Sequence, residues 1–432
     1  MNSIHMWCKW LLIIVFFLFL TRVQVAAGQA SSAATERITR AGADSLFLAK
    51  NLLLLAEKFN VGASGAQVIQ AKLFNNPTVA LSQNIYNPDT REWFDISDAG
   101  ETAASIQELF LLAGKRNKRI RVAGLSYKKE EQHYFDMIRT LKYELRTDFY
   151  NIFYLKQILK VYDREIQSMT SLADAFAQQS SMGFVSKKEA LRLKSSLFSL
   201  ENEKSGYVTQ LIAALSDFNL LLGTRNTDYL PVPDSIALDA FSTARMNLQS
   251  ITDTARLHRY DLLMARSDME ISQANLNLQK AMAVPDLTLM AGWDRNGSFV
   301  HNYNYLGMEI DLPFLNRNQG NIKSAEMDLE SNKVQLQSTM EKVQADVLQA
   351  YANAAEADRL YRRFDNSFVG ELQALMGEMV DNYKQRNIST LEFLDFYDAC
   401  KSNLVQLNTL QNARANAFEA LNFTVGKDIL NK

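Results

Sequence analysis

The sequence of 432 residues predicts a mainly α protein with a small β part, arranged as a duplicated unit of two strands followed by a long helical hairpin. Three observations predict it. Glycine and proline are sparse, at 17 and 6 residues, so helix should dominate and break only where they cluster. Two stretches, 77–113 and 285–313, alternate apolar and polar residues with the period of two that a one-sided strand requires. The segments after them repeat apolar residues in steps of three and four, and landmarks recur about 200 residues apart.

At the N-terminus, Lys9 precedes the apolar run Trp10–Leu20, and the small residues Val25 and Ala27 suit cleavage near Gly28. Residues 1–27 therefore read as a signal peptide, ahead of a mature chain of 28–432. Removing them takes away Lys9 and Arg22 and no acid, so the net charge moves from −2 to −4, which argues against a nucleic-acid partner. Cys8 lies ahead of the apolar run, so no lipid-acylation site is expected. Cys400 falls in a helical pattern and reads as an unpaired, partly buried thiol. No other segment offers about 18 uninterrupted apolar residues, so helical membrane spans are not expected.

Further along, Asp44–Phe59 is expected to be helical, interrupted by Gly62 and Gly65 and resumed through Lys72. Asn75, Asn76 and Pro77 stop it. Val79, Leu81 and Ile85 mark a first strand, Tyr86–Gly100 a loop, and Glu101–Leu111 a second, weaker strand. From Lys115 the spacing predicts a helix to Met182. Its seam of Ile138, Leu141, Leu145, Asp148, Ile152, Leu155, Leu159, Tyr162, Ile166, Met169, Ala173 and Phe176 has the 3.5-residue period of a left-handed coiled coil, with Asp148 alone breaking the apolar rule. Such a helix would be roughly 100 Å long at about 1.5 Å per residue.

Gly183, Phe184, Val185 and Ser186 turn the chain, and Lys187 starts a return helix to Gly223. A loop holding Pro231 and Pro233 follows, then a helical stretch over about Ile236–Val284. In the hairpin 285–313, Leu287, Leu289, Ala291 and Trp293 share one side, as do Leu306, Met308, Ile310 and Leu312 on the second arm. A second seam runs through Leu336, Met340, Val343, Val347, Ala350, Ala354, Ala357, Tyr361, Phe364 and Phe368. Arg386, Asn387, Ile388 and Ser389 turn the chain before a last helix ending at Gly426. Ser389 lies 203 residues after Ser186 and Gly426 lies 203 after Gly223, which defines two repeats, about 44–223 and 236–426, with helical hairpins at 115–222 and 319–425.

Four strands with one apolar and one polar face cannot close a barrel, and open edges are not tolerated in lipid. Closure must come from other copies. Three chains would give about 12 strands, within the range of outer-membrane barrels with an aqueous lumen, and strands of about ten residues suit that membrane. Helices of about 100 Å rich in Lys, Glu and Asp would project into the periplasm. Trp93, Phe94, Trp293, Tyr303 and Tyr305 near the strand ends fit an interfacial aromatic belt.

The run Leu312-Pro313-Phe314-Leu315-Asn316-Arg317-Asn318-Gln319-Gly320, with Pro285-Asp286-Leu287-Thr288-Leu289 before it and Asn76-Pro77-Thr78-Val79-Ala80-Leu81 in the first copy, resembles the TolC-like outer-membrane efflux family, closest to its heavy-metal and multidrug branch. The resemblance covers essentially the whole mature chain. It implies a homotrimeric duct: a 12-stranded outer-membrane β-barrel continued by a periplasmic α-helical barrel. Its tips would dock onto a periplasmic adaptor and an inner-membrane transporter of the RND type, and outer-membrane lipid would surround the barrel. The first copy's strands are less regular than the family pattern, and the acylated cysteine of some relatives is missing. A type I protein-secretion duct and a periplasmic trimeric coiled-coil scaffold without channel activity stay open as alternatives.

Enzyme chemistry finds no support, because His133, His258 and His301 are scattered without metal-ligand spacing and no nucleophile or phosphate-loop motif is present. No cofactor and no metal ligand set are expected. His133 and His258 read as solvated helix residues, and most methionines sit at seam or core positions. After the second tip, Glu392 and Asp395 stand three residues apart on one helix face, preceded by Tyr383 and Arg386. The resemblance implies that these four residues form a periplasmic gate, with six carboxylates around one axis in a trimer. The competing reading is a set of ordinary exposed helix charges. Glu189 is the equivalent of Glu392 in the first copy. Gly183, Phe184, Val185, Ser186 and Lys187 of the first tip, with Arg386, Asn387, Ile388 and Ser389 of the second, are the expected adaptor-docking residues.

Overall fold

The computed structural model describes residues 34–224, 227–233, 243, 246–296, 300–363 and 366–429. The signal-peptide expectation, the helical expectation over 236–242 and the seam residue Phe364 lie outside the described residues. Strand β1 (Ala34–Ile38) leads into helices α1 (Arg40–Lys50) and α2 (Leu52–Lys72). Strands β2 (Thr78–Gln83), β3 (Tyr86–Asn87), β4 (Glu92–Trp93) and β5 (Thr102–Phe110) then precede α3 (Lys115–Ser181), and α4 (Lys187–Leu222) runs back along it. The second copy has β6 (Thr227–Pro231), α5 (Leu248–His258), α6 (Tyr260–Met282), β7 (Leu287–Asp294), β8 (Tyr303–Ile310), α7 (Gln319–Arg363), α8 (Asn366–Lys384) and α9 (Thr390–Val425).

Helix α3 spans 67 residues without interruption, about 100 Å of axis. Its spacing explains this length. Leu145, Ile152, Tyr162, Met169, Ala173 and Phe176 are buried along one stripe, and the remaining seam residues are partly covered. Helix α3 packs against α2, α4, α6 and α9. In the half next to the sheet, α2, α3, α6 and α7 lie side by side, in the order of the strands they adjoin.

That order is β2-β5-β7-β8, antiparallel throughout. The register aligns one apolar face across all four strands. Val79 meets Ile106, Ile106 meets Ala291 and Ala291 meets Leu306; in the neighbouring rows Leu81 meets Ala104, and Leu289 meets Met308. No other described residue covers this face, and Leu81 and Leu306 are 80% and 89% exposed. On the opposite face a Cβ on Gly292 would lie 2.5 Å from the ring of Tyr305, so only glycine lets that ring lie across the strand. Sheet and helices join at Lys115, 2% exposed, whose Nζ reaches Asp286 Oδ1 at 2.7 Å and the Val284 carbonyl at 2.6 Å.

Several local expectations are corrected. The first helical stretch breaks at Asn51, and α2 runs straight through Gly62 and Gly65. Asn51 Oδ1 accepts from Leu54 N at 3.0 Å, starting α2, while its Nδ2 donates to the Leu221 carbonyl at 2.8 Å. This is the capping chemistry that favours asparagine at a helix start. The second copy breaks at Arg259, 208 residues later, where the guanidinium is held by Asp261 and Asp346. Pro231, expected in a loop, ends β6, which pairs in parallel with β1 from Ala34↔Thr227 to Ile38↔Pro231. Proline is tolerated at the end of such a short edge strand. Tyr86–Gly100, also expected as a loop, contains the small β3–β4 ladder. Cys400 is fully buried rather than partly so, at 1% exposure, because its helix face turns into the core of the lower hairpins.

At mid-length the two copies are tied by charge. Arg146 of α3 is buried and contacts Asp44 Oδ2 at 2.7 Å, Glu419 Oε2 at 3.0 Å and Asp428 Oδ1 at 2.7 Å. Burial opposes its charge, but the bonds to Asp428 and Asp44 win and hold the guanidinium protonated.

Candidate functional site

Both hairpins end in turns of the same shape. In the first, α3 closes with Gly183 at φ +81°, and the Phe184 amide returns to the Gln179 carbonyl at 2.9 Å. Ser186 then caps α4, its Oγ accepting from Glu189 N at 3.2 Å. In the second, Arg386 takes the left-handed position at φ +62°, and the Asn387 amide returns to the Asn382 carbonyl at 2.9 Å. Glycine is the usual residue for that conformation. Arginine there is strained, and its side chain makes a contact glycine could not: Nη2 donates to the Phe184 carbonyl at 2.9 Å, joining one tip to the other.

Ser389 and Glu392 form a reciprocal cap on α9. Ser389 Oγ accepts from Glu392 N at 3.2 Å, and Glu392 Oε2 accepts from Ser389 N at 2.8 Å. Those bonds from Ser389 hold the Glu392 carboxyl below its usual range, so it stays ionised while fully exposed. Asp395, one turn on, is exposed on the same helix side. Both carboxylates are thus exposed to solvent, ions or a second chain, Glu392 with one oxygen engaged in the cap.

Tyr383 is placed differently from Glu392. It is buried, stacked between Phe176 at 4.9 Å and Phe393 at 4.5 Å, both at interplanar angles of 6°, and its hydroxyl meets Thr390 Oγ1 at 3.0 Å. Burial pushes its hydroxyl pKa up. Phe393 continues the stack to Tyr397, which donates to the Glu165 carbonyl at 2.9 Å. The structure therefore puts Tyr383 inside the joint between hairpins and leaves the acids outside it. Phe176, Phe393 and Tyr397 were not singled out for this joint in the sequence, although each sits at helical spacing on an apolar stripe. Of the docking residues, Phe184 and Lys187 are exposed, Val185 is buried and Ile388 is partly covered.

An uncovered amphipathic four-strand sheet is thus continuous with helices about 100 Å long that end in paired turns. Residues 251–427 match the family model described as outer membrane efflux protein. Among its relatives, the cobalt-zinc-cadmium resistance protein CzcC of Cupriavidus metallidurans is 20% identical over 288 residues, a match covering 67% of this chain and 66% of that protein. The fold is similar to the outer membrane channel CmeC of Campylobacter jejuni, with a TM-score of 0.74 and 13% identity over 90% of this chain and 86% of that one. It is similar also to a membrane protein from Pseudomonas aeruginosa, with a TM-score of 0.72 and 15% identity over 90% and 92% of the two chains.

Proposed function

We propose that three copies close a 12-stranded barrel in the outer membrane, the count following from four strands per chain, and form the exit duct of a tripartite efflux system. The duct conducts passively what an inner-membrane pump, of the RND type, delivers through a periplasmic adaptor. The observation that carries this reading is the sheet: among the described residues β2 and β8 each have one unpaired edge, and the shared face is apolar and uncovered. Open edges and a bare apolar face are unstable in water, and closure in lipid satisfies both. The long hairpins then extend into the periplasm, with Gly183, Phe184, Val185, Ser186, Lys187, Arg386, Asn387, Ile388 and Ser389 as the docking surface. Glu392 and Asp395 line the constriction, while Tyr383 and Arg386 hold the closed state from behind.

Fractionation tests the duct directly. The protein should appear in outer membranes as a crosslinkable trimer with heat-modifiable migration, and should conduct in planar bilayers. Recovery as a soluble monomer would overturn the reading. In the same bilayers Glu392→Gln with Asp395→Asn should lower cation selectivity and relieve block by a trivalent cation. Unchanged selectivity and block would put the acidic pair outside the conducting path.

A further inference from the structure

A second cluster lies far along the chain from the tips, where α2 runs beside α3. Glu57 of α2 is 95% covered, yet its carboxylate faces His133 of α3, with Oε1 2.6 Å from the imidazole Nδ1. Asn60 Nδ2 holds the other oxygen at 2.9 Å, fixing the carboxylate. Glu130 lies one turn before His133 on the same face of α3. One ligand atom from each of Glu57, Glu130 and His133 falls within 4.8 Å of the others.

The charge at this place is unbalanced. Neither Glu57 nor Glu130 has a lysine or arginine partner among the described residues, and His133 is the one basic group facing Glu57. Two carboxylates therefore converge beside one imidazole where α2 packs on α3, with Glu57 buried. We propose that Glu57, Glu130 and His133 form a binding site for a borderline divalent cation of the zinc, cobalt or nickel class. One imidazole nitrogen and two carboxylate oxygens are the donor set such ions accept. Coordination at about 2.0–2.2 Å needs ligand atoms roughly 3–3.5 Å apart, so modest side-chain rotation closes the set. His133 is half exposed, which leaves water to complete the shell and lets the ion exchange. The ion would clamp α2 to α3, the helix that carries the chain away from the sheet. This inference stands apart from the duct reading.

The test uses the full-length purified protein stripped of metal, titrated with cobalt(II) chloride and followed by its visible d–d bands, and with zinc chloride by calorimetry. Saturable binding of about one ion per chain is expected, weakening in acid as protons compete with the metal for the ligand atoms. Glu57→Gln and His133→Ala should each weaken it at least ten-fold, and His258→Ala should leave it unchanged. Glu130→Gln, at a less buried position, gives the same readout without touching the helix packing. Far-ultraviolet circular dichroism checks that each variant keeps its helix content. No saturable binding by the wild type, or equal affinity in the His133→Ala and Glu130→Gln variants, would overturn the proposal and leave a plain Glu57–His133 pair.

Discussion

Asp148 occupies a seam position of α3, between the buried residues Leu145 and Ile152, where the period calls for an apolar side chain. Burial, reinforced by Asp217 on α4 and Glu144 one turn earlier, pushes its carboxyl up to about 7. A carboxyl with a raised folded-state pKa binds its proton more tightly when folded. The cost is therefore absent below about pH 4, grows between about pH 4 and 7, and is complete above that. At about 1.4 kcal/mol per tenfold change in proton affinity, the rise from about 4 to about 7 corresponds to at most ~4 kcal/mol. Because the group is partly open to solvent, screening reduces this to ~2 kcal/mol. Asp148→Asn keeps the shape and removes the ionisation. The variant should be more stable than wild type by ~2 kcal/mol at pH 8, a factor of about 30 in the unfolding constant, and nearly equal at pH 4. Urea denaturation in detergent, followed by circular dichroism across that pH range, measures the difference. Parallel pH profiles for the two proteins would refute the reasoning.

Three further outcomes are expected. Arg146→Met should cost about 3–5 kcal/mol in the same denaturation assay, since it leaves Asp44, Glu419 and Asp428 without their buried partner. Arg386→Gly should relieve about 1–2 kcal/mol of left-handed strain while losing the bond to Phe184, so stability changes little; spin labels on the two tips should then report a broader distance distribution. The Cys400 thiol is buried and pushed up to about 11, so a maleimide at pH 8 should label it only after unfolding.

Much of the architecture was legible because long helices and one-sided strands announce themselves by period. What escaped was local or distant. Gly62 and Gly65 looked like breaks, but a helical glycine costs only about 1 kcal/mol, and packing of α2 on α3 outweighs it. Asn51, sitting in an apolar run without glycine or proline, breaks the helix through a bond to Leu221, 170 residues away. The β1–β6 pair is short, parallel and joins segments nearly 200 residues apart, so no window of sequence contains it. At the tips the residue types were readable, whereas the left-handed backbone of Arg386 and the burial of Tyr383 depend on the facing hairpin. Likewise, Glu57 and His133 are 76 residues apart, and only the crossing of two helices brings them together.

The two hairpins also behave as matched gauges. From Ile120 to Ser186 is 66 residues and from Ile322 to Ser389 is 67, although the strand-bearing segments before them differ by six, from Pro77 to Ile120 against Pro285 to Ile322. Length drifts where the chain turns outside the helices and is held where it does not. One residue of helix is about 1.5 Å of height, so counts that differ by one bring both turns to nearly the same level. Six turns from three chains would make a nearly flat rim, and an insertion of a full helical turn in one hairpin, about 5.4 Å, would lift its turn out of that rim.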